Sequence, residues 1–159
     1  MLARIIVAIL MTLPLGAQTI RVGTFHKPSI VVAFVRSRLF ADTVMKPKMA
    51  EMQRVKDAHD QKKIDELNAW GGTHQEQVHQ QLAGEKPIYD IVAALGPCFA
   101  EVAKKAHVSL VAVDLPYTEP GVETVDVTDL ILDWLKSDEA TRKIVHELQQ
   151  QKGPLPRML

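Results

Sequence analysis

The 159-residue chain has one cysteine, Cys98, few aromatic residues (5%), no excess of either charge and little glycine outside a few short stretches. Each shortage excludes something. One cysteine cannot form an internal disulfide, so stability has to come from packing or from association. Nineteen basic residues against nineteen acidic ones give no electrostatic reason to expect nucleic acid or an anionic membrane surface as partner. Scarce aromatics beside plentiful Ala, Val, Leu and Met leave the core to aliphatic side chains and favour extended helices. There is no phosphate-cradling glycine loop and no Gly-x-Ser-x-Gly elbow, so the two commonest glycine-built catalytic devices are missing. No cofactor is called for.

What is present begins at the first residue. Met1-Leu2-Ala3-Arg4 supplies one positive charge, and an apolar run from Ile5 to Leu15 is followed by the small residues Gly16 and Ala17. That order reads as a cleavable secretory signal over 1–17, with Gln18 as the new N-terminus. The run is about 11 residues, short of the ~20 a membrane-spanning helix needs. An uncleaved helix or anchor is the competing reading. After cleavage the basic residues number 18 against 19 acidic, and the length predicts one domain over 18–150 with a flexible tail at 151–159.

Along that domain, residues 20–25 alternate apolar and polar as a half-buried strand does. Pro28 suits the first turn of a helix, and the apolar side of 30–44 predicts one helix there. Pro47 kinks or restarts it. From Lys48 to Trp70 the pattern is helical and charge-rich, with Met45, Met49 and Met52 in a narrow stripe resumed by Ile64, Leu67 and Trp70. Spacings of three and four resemble a coiled-coil seam. Gly71-Gly72 is read as the stop, with Thr73 capping a second helix, which makes an antiparallel helical hairpin with its tip at the two glycines. Short helices follow at 73–83, 88–95 and 97–106. Then come a buried strand over 107–114, a loop, and a short edge strand at 123–125. Asp126 caps a helix at 127–135 that turns Leu130, Ile131, Trp134 and Leu135 to the core, and 139–151 reads as a polar extension. The expected fold is a mostly helical α/β domain: a small β-sheet body carrying a protruding helical hairpin.

The order of parts, together with Glu101-Val102-Ala103-Lys104, Val108-Ser109-Leu110-Val111-Ala112-Val113-Asp114 and Asp126-Val127-Thr128-Asp129, resembles the Skp/OmpH family of periplasmic chaperones. The likeness covers about residues 100–135 by sequence, and 20–45 by order of elements. It implies a periplasmic protein without enzymatic activity, a trimer-forming body, and a hairpin that holds unfolded or outer-membrane proteins. Under that reading the client-binding residues are Met45, Met49, Met52, Ile64, Leu67 and Trp70. Methionine's unbranched thioether suits such a surface, because it adapts to varied apolar partners; the same stripe also reads as plain hairpin core.

Other candidate chemistry rests on single residues and small sets. Cys98 follows Pro97 at a helix start, where the dipole can activate a thiol, but Phe99, Ala100 and Val102 around it suit a small buried hydrophobe. His74 and His79 are five apart, not the four a helical zinc site favours. His59 lies on the other hairpin arm, and His26 and His107 flank strands. Asp114, Asp126, Asp129 and Asp133 are the densest carboxylate set, without the glycine-centred loop of a calcium site. Two further readings stay open: an exported α/β protein with no chaperone activity, and an enzyme built on Cys98 or the aspartates.

Overall fold

A computed structural model describes residues 19–151; the expected signal over 1–17 and the tail beyond Gln151 lie outside the described residues. Strand β1 (Arg21–Thr24) lies between β2 (Leu110–Ala112) and β3 (Glu123–Asp126), and both pairings are parallel. Parallel neighbours cannot be joined by a tight turn. Here most of the helical chain separates β1 from β2, and a ten-residue loop carries the chain across β1 to β3. The Gly23 face of the sheet packs inward: a Cβ on Gly23 would lie 3.2 Å from methyls of Val108 and Val111, and 3.3 Å from one of Val127.

Helix α1 (Lys27–Val35) carries Pro28 in its first turn, as the sequence predicts, and buries Ile30 and Val31. The single helix expected over 30–44 is split. Ser37 breaks it, because its hydroxyl donates to the Phe34 carbonyl (2.6 Å) and accepts from the Phe40 N–H (3.1 Å). That side chain ends one helix and caps the next. α2 (Arg38–Phe40) then runs through a π-helical turn, Ala41–Met45, into α3 (Lys46–Asp57). The wide turn stands directly before Pro47. A proline ring in a helix collides with the carbonyl four residues back, here that of Thr43. The Lys46 N–H reaches back five residues to Ala41 instead, and the widened turn makes room for the ring.

The hairpin is present, but its tip is not at Gly71-Gly72. α3 ends at Ala58, His59 takes the left-handed conformation (φ 53°), and the Asp60 carboxylate accepts the Lys63 N–H (3.1 Å) to cap α4 (Gln61–Leu82). One left-handed residue plus one N-cap suffices to reverse the chain. The two glycines and Thr73 lie inside the 22 residues of α4, since glycine costs a helix only about 1 kcal/mol. A Cβ on either glycine would meet nothing within 4 Å. Gly71→Ala and Gly72→Ala are therefore each expected to raise stability by about 1 kcal/mol in urea denaturation. A tip built on left-handed glycines would give the opposite sign.

α5 (Tyr89–Ala94) and α6 (Gly96–Ala106) match the short helices expected at 88–95 and 97–106, while the one expected at 73–83 is the second half of α4. The strand expected to be buried over 107–114 is only three residues long and forms an open edge, with Leu110 49% exposed. A β-branched run reads the same at an edge as in the middle of a sheet. α7 (Thr128–Trp134) starts where Asp126 accepts the Thr128 N–H (2.8 Å), and buries Ile131 and Leu132 with Leu135 just beyond it. α8 (Glu139–Gln150), expected as a polar extension, is instead a core helix. Asp138 caps it through the Thr141 N–H (2.7 Å), and Thr141, Val145 and Leu148 form one buried stripe against α1.

The fold is thus a mostly helical α/β domain with a small three-stranded parallel sheet. Its core joins α1, the end of α4, α5, α6, α7 and α8. α3 buries only Val55, and the buried residues of α4 (Val78, Gln81 and Leu82) all lie in its last turns. The outer part of the hairpin therefore stands clear of that core.

Candidate functional site

Because the hairpin turns at His59, α3 lies beside the first half of α4. Between them runs an open groove of about 500 Å³. Met45, Met49 and Met52 line it from the α3 side, Leu67 and Trp70 from the α4 side. Met49 is 66% exposed, although it belongs to the seam the sequence pattern suggests. Five of the six expected client-binding residues thus converge. The sixth, Ile64, is half-buried and does not line the groove. Sequence reasoning missed Gly71 and Gly72, which lie along the groove and leave a strip of bare helix backbone. Their spacing from Leu67 and Trp70 on one helix was the available signal.

The groove's polar residues are Lys48, Gln53, Lys56 and Asn68. The Lys48 ammonium sits 5.3 Å over the Trp70 ring and bonds the Glu51 carboxylate at 2.9 Å. That hydrogen bond, with the lysine's charge behind it, holds the Glu51 carboxyl below the usual range. Trp70 in turn stacks on His74 (5.1 Å between centroids) and His74 on Phe40 (5.5 Å). Phe40 meets Phe34 edge-on. A continuous line of rings therefore ties the groove wall to the core. Aromatic pairs contribute about 0.5–1.5 kcal/mol each beyond the area they bury, so Trp70 is held in place rather than free to swing.

The other candidates scatter. Among the described residues, no group of three or more His, Cys, Asp or Glu side chains converges on a metal position. His74 is sandwiched between rings, with Nε2 buried and unpartnered. Cys98 is fully buried, and burial, with the Glu101 charge second, pushes its thiol up to about 11. The activation that a helix start could provide is overridden by desolvation. The four aspartates have separate tasks: Asp114 pairs with Lys27 (2.7 Å), Asp133 with Arg142 (2.6 Å), Asp129 faces His146 (3.4 Å), and Asp126, expected as the cap of α7, accepts the Thr128 N–H (2.8 Å) while Val127 takes the cap position.

One polar pair was not foreseen. At the carboxyl end of β1, His26 Nδ1 lies 2.7 Å from the Ser29 hydroxyl, and the His26 N–H donates to the Thr128 hydroxyl at 3.0 Å. Burial lowers the His26 pKa, opposed by the Asp126 charge. The carboxyl edge is where open parallel sheets hold ligands, but Ser29 is completely buried. A substrate has no access to its hydroxyl, and the pair serves to fasten β1 to α1 and α7.

Comparison with protein-family models, with curated proteins and with solved structures yields no match. No helix among the described residues is long and apolar enough to cross a membrane.

Proposed function

We propose that this is an exported, non-enzymatic holding protein that grips apolar segments of other proteins in the groove between α3 and α4. The observation that carries the reading is the convergence of three methionines, Leu67 and Trp70 on an open surface that the core does not cover. Exposed apolar patches of this kind mark interaction sites, and methionine lets one patch fit many partners. The dispersal of Cys98 and the four aspartates supports binding over catalysis. The order of elements, a first strand followed by a hairpin, a return helix, a strand and a closing helix, supports a Skp/OmpH-like plan. Under it the protein works in the periplasm as a trimer, on unfolded or outer-membrane clients.

The test is suppression of aggregation of an unfolded outer-membrane protein by the chain from Gln18 onward, with static light scattering on the same sample to count protomers. Fully burying a methionine is worth about 2 kcal/mol. Partial burial of three in a client predicts that the combined Met45→Ser, Met49→Ser, Met52→Ser variant holds clients about tenfold less well or worse. A triple variant that holds clients as well as the parent would remove the groove from the function.

A further inference from the structure

The groove's own lining narrows what it takes, a step that rests on the holding function above. Two cations, Lys48 and Lys56, line it, and no carboxylate does. Lys56 is exposed and has no ion-pair partner among the described residues. The carboxylate that pairs with Lys48, Glu51, belongs to a separate depression with Arg54, Asp60 and Lys63.

This charge pattern argues against a second copy of the same surface as occupant. A two-fold contact sets a patch on itself, which would bring two unpaired Lys56 ammoniums to one interface with no carboxylate in the groove to meet them. The backbone argues against an extended chain. Both walls are helices whose N–H and C=O groups are already paired within the helix, so neither wall offers a strand edge, and an extended segment would gain no backbone hydrogen bonds from the groove. A helix satisfies those groups internally. The bare strip at Gly71 and Gly72 removes the side chains that would hold a third helix away.

We propose that the groove receives an amphipathic helical segment of another protein, with an apolar stripe flanked by Asp and Glu. Residues spaced i, i+3, i+4 and i+7 on that segment meet Met45, Met49, Met52 and Trp70. Its carboxylates meet Lys48 and Lys56.

Fluorescence anisotropy with three labelled synthetic peptides tests this on the chain from Gln18 onward. One peptide has leucines at helical spacing with glutamate flanks, the second has lysine flanks, and the third has the composition of the first in scrambled order. The glutamate peptide is expected to bind about tenfold more tightly than the lysine peptide, with the gap closing as salt screens the rim. Lys48→Gln with Lys56→Gln should make the two bind alike. Gly72→Leu, at a position open to solvent, should weaken both while leaving the circular dichroism spectrum unchanged. Equal binding of the glutamate and lysine peptides by the parent overturns the acidic partner and leaves the groove in place. A scrambled peptide that binds as well as the ordered one overturns the helical partner. Failure of every peptide, while unfolded clients are still held in a methionine-dependent way, overturns this proposal alone; failure of both overturns the holding function with it. Self-association that Gly72→Leu abolishes replaces the partner with a second copy.

Discussion

Val145→Asp is expected to leave the chain largely unfolded at room temperature. Val145 is completely buried on α8, in the core cluster and on the helix that packs against α1. A carboxylate there would stand without a partner, and burying an unpaired charge costs several kcal/mol. That is comparable with the whole stability of a domain, about 5–15 kcal/mol. Lys143→Gln, two residues away and exposed, should change stability by no more than about 0.5 kcal/mol. Circular dichroism through a urea titration compares the two. If Val145→Asp unfolded at the same urea concentration as the parent, α8 would be a loose extension, as its polar composition suggested.

The second large effect is expected at Gly23, where two tendencies oppose each other. Valine suits a strand better than glycine does, by up to about 1 kcal/mol, so an open site would gain from Gly23→Val. Gly23 is not open. Its missing Cβ would already lie 3.2 Å from two valine methyls and 3.3 Å from a third, and valine adds two further methyls. The neighbours Val108, Val111 and Val127 are β-branched and stiff about χ1, so they cannot swing aside. Overpacking of this kind costs about 1–3 kcal/mol and outweighs the propensity gain. A thermal melt should show Tm lowered by about 4–10 °C. A rise in Tm would mean that Val108, Val111 and Val127 do not close over Gly23 as described.

These two sites mark what the sequence showed and what it concealed. Local signals were read well. Pro28 opens α1, and the short helices expected at 88–95 and 97–106 are α5 and α6. The methionine stripe was visible as a spacing, and the structure puts Met45, Met49 and Met52 on one groove wall. Errors arose where a weak local preference met a stronger neighbour. Gly71-Gly72 reads as a stop, but a long helix absorbs two glycines at modest cost, while the true turn at His59 has no glycine to announce it. α8 looked polar because its outer face dominates the composition, although Thr141, Val145 and Leu148 fall on one stripe. Burial of a strand depends on its neighbours, so Leu110–Ala112 could not be placed at an edge from its own letters. The acid-free lining of the groove was likewise invisible, because it joins residues from two helices whose register the misplaced tip had shifted.

The position of β1 at the centre of the sheet governs how the protein is made. It is the first described element to be synthesised, yet the ion pair fastening it to β3, Arg21 with Glu123, spans 102 residues. Its other neighbour, β2, starts only at Leu110. Closing loops of that length carries an entropic cost that must be met before the contacts form, and folds dominated by such contacts assemble slowly. Helices can form turn by turn during synthesis, but the sheet cannot close until the chain has been made through Asp126. Until β2 has been made, Val22 and Gly23 have no strand beside them, and the half-made protein exposes the apolar surface that the finished one hides.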